Sequence, residues 1–325
     1  MKKFVLSTES TSDLPLSYLT ENNVACYEMG GMVGDFEFGG TSGNSLDIKD
    51  FFNRMRDGEK TMTTQVNLAE AERFLESFLK QGKDVLHLAF SSALSGTYNN
   101  FVAAAETLGK KYPNNKVLVV DSRAASLGEG LFVHFVNKKA EEGVSIDEAY
   151  EYALSIRDDI CHYFVVDDLE YLYRGGRVKK STAVLGTLLR IKPVLHVDLE
   201  GRLIPLKKVM TRRKSLNALV DYMQTKYDGW SDDVFISHGD CREEAEYVAR
   251  LVTEKIGVPG EKILINHLGP VTVPILGRAR WRFSSTAEAK GKTKKIDGQN
   301  KRRFQTKASF LLAQRYSGFF RCGGL

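Results

Sequence analysis

The chain has 325 residues and an apolar share of 42%, enough to build one large domain or two. Its formal charge is +5, yet residues 272–325 hold 13 Lys and Arg against two acids, so residues 1–271 carry 33 basic against 39 acidic side chains. The overall basicity belongs to the last 54 residues and is no evidence for a nucleic-acid or membrane protein as a whole. No apolar run reaches the length of a membrane-spanning helix. The four cysteines, Cys26, Cys161, Cys241 and Cys322, lie far apart without metal spacing and read as free thiols of a cytoplasmic protein.

The opening segment has two lysines and too few apolar residues for a signal peptide, so Lys3–Ser7 reads as a first strand. A hydroxyl-rich turn, Thr8 to Asp13, follows it, and a helix is expected from Pro15. Asn67 with Glu70 forms a capping box that opens a helix carrying Leu68, Ala71, Phe74, Leu75 and Phe78 on one face, with Gly82 as its stop. Asp84–Phe90 reads as a buried strand, Ser91–Asn99 as a second hydroxyl turn, and a helix runs through Ala103–Leu108. Lys116–Val120 is a strand, and Ser145 with Glu148 caps a helix over Ile146–Ile160. Strands alternating with helices indicate a mainly parallel sheet covered by helices.

From His162 the rhythm changes. Tyr163–Val166 reads as a strand, Leu169–Tyr173 as a short helix ending at Gly175-Gly176, and Thr182–Arg190 as a helix. Pro193–Asp198 and Arg202–Val209 form a hairpin around Glu200-Gly201. A helix (Lys214–Tyr227), a strand (Val234–Ser237), a helix (Glu243–Ile256) and a strand (Lys262–Asn266) complete the pattern. A boundary near residue 160 divides the chain, and with no low-complexity linker the halves are expected to pack together and share a cleft.

Three hydroxyl-rich turns follow early strands: Thr8–Ser12, Thr63-Thr64-Gln65 and Ser91–Thr97. In an open α/β sheet such turns lie where ligands bind, and helix N-termini there supply N–H groups and partial positive charge. Taken singly, each turn is more readily explained by helix capping; the three together indicate a carboxylate or phosphate site. Ser95 stands in no G-x-S-x-G elbow and has no evident base. His87 and His134 read as core residues, and no histidine pair has metal spacing. In Arg174-Gly175-Gly176-Arg177 the arginines could bind an anion, or the glycines could simply end a helix.

These motifs, in order, resemble the DegV family. Ser7 to Pro15 is similar to its T-D-S-T-x-D-L-P opening, and Thr63 to Asn67 to its T-S-Q-P-S turn. Ser91 to Tyr98 is similar to S-S-x-L-S-G-T-Y, and Asp121-Ser122 through Ser126, Gly128 and Gly130 to D-S-x-x-x-S-x-G-x-G. Leu169 to Arg177, Leu185-Gly186 with Ile191-Lys192-Pro193, and Leu268-Gly269-Pro270-Val271 complete the series. Glu9 replaces the usual Asp, Thr64 a Ser, and Val66-Asn67 a Pro-Ser. The resemblance implies an α/β fold in two domains: a mainly parallel N-terminal α/β sandwich over residues 1–160 and a mixed-sheet α/β domain over 161–271. It further implies a carrier without catalysis, metal or cofactor. The carrier would bury a long-chain fatty acid and present its carboxylate to a separate fatty acid kinase for phospholipid synthesis, with transient contact at a membrane surface. The family's carboxylate contacts carry over to Thr63 and Ser95, with Ser10, Thr11, Thr64, Gly96, Thr97, Ser126 and Arg174 in support.

After Val271 the resemblance ends. The family continues with a glycine, a histidine and S-G-P-G-T before an apolar strand, whereas this chain continues Thr272-Val273-Pro274-Ile275-Leu276-Gly277-Arg278. Codons for Thr272 to Ser285, read two bases late, can spell G-S-H-S-G-P-G-T-V-A-L-F-F-Y. Residues 272–325 therefore read as a basic, frameshifted tail, expected to pack poorly and to form at most a local helix around Ala308–Gln314. Loss of the family strand is expected to destabilise the second domain and to impair the carrier. Two other functions compete: a hydrolase or phosphotransferase using Ser95, and polyanion binding by Lys290–Arg303, which would be salt-dependent and not specific for nucleic acid.

Overall fold

The structure is a computed structural model that describes residues 2–166, 169, 172–173, 175–179, 191–227, 229, 231, 233–273 and 307–312. Arg174, the helix expected over Thr182–Arg190 and most of the tail lie outside the described residues.

The first half is built on a parallel sheet of β1 (Val5–Glu9), β2 (Val24–Tyr27), β6 (Val85–Ala89) and β7 (Val117–Asp121), in the order β2-β1-β6-β7. All five residues of β6 are buried, His87 among them, as befits a central strand with helices on both faces. The helices are α1 (Leu16–Glu21), α2 (Ile48–Arg56), α3 (Leu68–Leu79), α4 (Thr97–Lys111), α5 (Leu127–Glu141) and α6 (Ile146–Ile156). Both capping boxes form: the Glu70 amide donates to the Asn67 side chain at 3.0 Å, and the Glu148 amide to Ser145 Oγ at 3.2 Å. A small antiparallel sheet, β4-β3-β5 (Phe36–Phe38, Gly31–Val33, Thr61–Thr63), and α2 go beyond the sequence expectation. So does α5, which is buried on nearly every face and so lacks the periodic stripe that marks a surface helix.

The second sheet is mixed, as expected. It holds β8 (Ile160–Val165), β9 (Ile191–Val197), β10 (Leu203–Met210), β11 (Val234–His238), β12 (Ile263–His267) and β13 (Lys307–Leu312), in the order β10-β9-β8-β13-β11-β12. The hairpin β9–β10 is antiparallel, while β8, β13, β11 and β12 run parallel. Helices α7 (Arg212–Lys226) and α8 (Arg242–Ile256) pack on it. Helix α5 touches strands of both sheets and so joins the two halves.

Strand β13 corrects the expectation for the tail. Lys307–Leu312 is a strand where at most a helix was expected, and it fills the slot between β8 and β11. Two parallel strands one place apart present facing rows of unpaired N–H and C=O groups, and an extended segment between them satisfies both rows. A helix at the same place would leave both unsatisfied.

Candidate functional site

The pocket of interest has a volume of about 580 Å³ and opens where the ends of β5 and β6 meet the second half of the chain. Thr63, Thr64 and Gln65 line it from the end of β5, and Phe90 and Ser92 to Gly96 from the turn between β6 and α4. Met29, Gly175, Gly176, Arg177 and Val271 complete the wall. Phe90, Leu94 and Val271 belong to an apolar cluster that continues into Phe164, Val166, Leu195 and Leu268, so a polar rim stands over an apolar floor shared by both halves. Arg177 is the single charged residue among the described lining residues, and burial lowers its affinity for its proton.

The two polar turns are tied together. Ser95 Oγ lies 3.0 Å from Thr97 Oγ1 and accepts the Thr97 amide at 3.2 Å. Thr97 Oγ1 accepts the Val66 amide at 3.3 Å, and Asn100 Nδ2 donates to the Val66 carbonyl at 2.7 Å. Gly96 lets the Gln65 amide approach, since a Cβ there would lie 2.7 Å from Gln65 Oε1. Thr64 donates its hydroxyl and its amide to the Gly30 carbonyl, each at 3.1 Å.

The turn from Ser91 to Gly96 is also held by groups distant in sequence. Arg177 Nε donates to the Leu94 carbonyl at 3.1 Å. Ser91 Oγ donates to the Gly201 carbonyl at 3.0 Å, which brings the tip of the β9–β10 hairpin against the pocket turn. Ser92 donates both its amide, at 3.1 Å, and its hydroxyl to the Asp121 carboxylate.

Thr63, Thr64, Ser95 and Gly96 thus line one pocket, and Thr97 braces it from behind. Ser10 lies outside the lining but accepts the amide of Met29, which is in it, at 3.0 Å. Thr11 and Ser126 are placed elsewhere, because buried carboxylates take their hydroxyls. Thr11 Oγ1 donates to Glu9 at 3.4 Å and Glu129 at 3.3 Å, and Ser126 Oγ donates to Asp13. Burial, with the nearby Glu9 carboxylate, pushes Glu129 well above the usual carboxylate range. His87 is a core residue, bonded to Ser7 Oγ at 3.0 Å and to Glu9 at 3.2 Å. Sequence reasoning missed Met29 and Phe90, ordinary apolar residues whose place in the wall depends on how the loops fold back.

The sequence profile of the DegV family, described as uncharacterised proteins, matches residues 3–280. A DegV domain-containing protein of Clostridium perfringens is 39% identical over 272 residues, 83% of this chain and 93% of the relative. One of Lactococcus lactis is 31% identical over 283 residues, 85% of this chain and 98% of the relative. Among solved structures, a fatty-acid-binding DegV family protein of Thermus thermophilus superposes with a TM-score of 0.73 at 27% identity, covering 86% of this chain and 96% of its own. A fatty-acid-binding DegV family protein of Streptococcus agalactiae gives 0.73 at 26%, with the same coverage.

Proposed function

The chain belongs to the DegV family, and from that premise we propose that it binds one long-chain fatty acid, with the carboxylate at the Thr63 and Ser95 turns and the acyl chain in the apolar cluster beneath. The observation that carries this reading is the pocket itself: hydroxyls from two separate turns converge over an apolar floor, beside one partly buried cation. Hydroxyl and N–H donors suit a carboxylate, and the floor suits a hydrocarbon. Relatives of similar fold that bind fatty acids support it.

The finer role is a cytoplasmic carrier that presents the carboxylate to a separate fatty acid kinase, loading at a membrane surface without catalysing a reaction. Its support is the exposure of Thr64, Gln65 and Ser92, which leaves the carboxylate end accessible. The Ser95 hydroxyl engages Thr97 rather than an imidazole, which favours ligand binding over hydrolysis. In this reading residues 1–160 and 161–271 are the two domains, and the chain after Val271 follows a shifted frame. Sequencing the locus tests that last point: a DNA sequence unable to encode H-S-G-P-G-T in another frame sinks it.

Native mass spectrometry of the purified protein tests the function. A co-purifying C16 to C18 fatty acid is expected. An empty protein that turns over an ester or a nucleotide would overturn the carrier reading.

A further inference from the structure

Asp13 joins the first turn of the chain to its last described loop. Its Oδ1 accepts the Gly269 amide at 2.8 Å and the Thr272 hydroxyl at 3.0 Å, and its Oδ2 accepts from Ser126 Oγ. The Asp13 carbonyl takes Asn266 Nδ2 at 2.8 Å, and Ser126 Oγ lies 2.9 Å from Ser237 Oγ on β11. The centre of the cluster is dry, with Asp13 5% exposed, Thr272 1%, and Ser126 and Ser237 0%, while Asn266 and Gly269 are half-buried. The approach is so close that a Cβ on Gly269 would lie 2.7 Å from Asp13 Oδ1. Asp13 and Ser126 both hold positive φ, 52° and 53°, a backbone state that persists only where its surroundings enforce it. Val271, inside the clasped segment, lines the pocket.

We propose that Asp13 is a proton-operated positioning residue: as a neutral carboxyl it holds the Gly269–Thr272 segment, and so the Val271 wall of the pocket, against the first half, and its ionisation loosens that hold. The proposal rests on this pocket being the ligand site. The direction follows from burial, which outweighs three donors that by themselves would favour the ionised form. Three neutral donors surround the carboxyl, and the acids in electrostatic reach from β1 and α5 are Glu9 and Glu129, with the Cys26 thiol of β2 beside them. The imidazoles on neighbouring elements are His162, packed on Gly128 of α5, His238, at the end of β11, and His267, at the end of β12. A negative charge in this dry place is disfavoured.

A neutral Asp13 fits the geometry. A proton on Oδ2 donates to Ser126 Oγ, the Ser126 hydroxyl turns to Ser237, and Oδ1 goes on accepting from Gly269 and Thr272. Burial pushes Asp13 up to about 7, against the opposing pull of Ser126, Gly269 and Thr272. An opened, hydrated Asp13 returns toward its ordinary value of 3.8. Between these values the closed state binds the extra proton, so rising pH favours opening and falling pH favours closure.

The test is hydrogen exchange of residues 266–273 on either side of the Asp13 transition near 7, normalised to chemical exchange and to β6, with palmitate dissociation followed in parallel. In the wild type, protection is expected to fall about three-fold or more as pH rises through that transition, and palmitate to leave correspondingly faster. Asp13→Asn, which mimics the neutral acid, is expected to stay protected on both sides. Thr272→Val removes a donor to the carboxylate, and its transition is expected at higher pH. An Asp13→Asn protein with the wild-type pH dependence overturns the proposal, as does an unshifted transition in Thr272→Val should Asp13→Asn fail to fold. A wild type that shows the exchange transition but binds no palmitate would sink the fatty-acid reading while leaving the Asp13 switch standing.

Discussion

Ser95 Oγ and Thr97 Oγ1 stand 3.0 Å apart, and the second of them receives the Val66 amide. One hydroxyl pair therefore ties the turn after β6 to the turn after β5. The pocket's polar rim is a single braced unit rather than two independent loops.

Removing a rim hydroxyl should weaken the ligand. On the proposed reading Ser95→Ala and Thr63→Ala each delete one donor to a charged carboxylate, so each is expected to cost about 1.5–3 kcal/mol, or roughly ten- to a hundred-fold in Kd. Thr97→Val keeps the shape but frees Ser95, and a smaller loss is expected. Displacement titration with a fluorescent fatty acid measures all three. An unchanged Kd for Ser95→Ala would remove the carboxylate from this turn.

Two glycines should behave differently. At Gly201 a Cβ would lie 2.2 Å from Ser91 Oγ, and its φ is +79°. Gly201→Ala is therefore expected to lower stability by at least about 1–2 kcal/mol and to disturb the pocket turn as well. Gly96→Ala meets only the mobile end of Gln65, so its main effect should be on ligand affinity. Denaturant melts and binding isotherms on both variants separate the two outcomes.

The Glu129 carboxyl is buried, accepts from Thr8 Oγ1 at 2.9 Å and Thr11 Oγ1 at 3.3 Å, and leaves Oε2 without a hydrogen-bond partner. Its proton affinity is raised by burial and by Glu9. The folded state thus holds a proton that the unfolded state releases near 4.5. Its contribution is fully present below that value and is lost as pH rises through the higher folded value. Glu129→Gln is expected to flatten this decline and to be more stable than wild type on the alkaline side. Urea melts across the pH range check the sign.

Strand β13 makes a prediction about the tail. Ser309 pairs with Phe235 on one side and His162 on the other. Amides of Ala308 to Leu311 are expected to exchange about as slowly as those of β7, and Ser309→Pro to destabilise the second sheet by removing a ladder donor. Exchange of those amides within the dead time would show that β8 and β11 are joined by something else.

Much of this arrangement was legible beforehand. The capping boxes at Asn67 and Ser145 and the buried run of β6 are written in local residue types, so strands and helices could be placed from them. The ordered motifs allowed Thr63, Thr64, Ser95 and Gly96 to be named before the structure joined them. Helix α5 was hidden because a helix buried on nearly all faces has no polar side to set its period. The short strands β3, β4 and β5 carry too few residues for an alternation to register. Strand β13 was misjudged because a basic surrounding sequence masked a segment whose conformation is dictated by the gap it enters.

By itself, the sequence determined the class of fold, the family and the polar turns, since each depends on neighbours a few residues apart. Only the tertiary structure decided which turns face one another. Nothing local links Asp13 to Gly269, or Ser91 to Gly201, yet each pair meets through a hydrogen bond of 3.0 Å or less. Those contacts form because packing α5 between two sheets brings distant loops to one edge, and that convergence, rather than any single motif, makes a pocket.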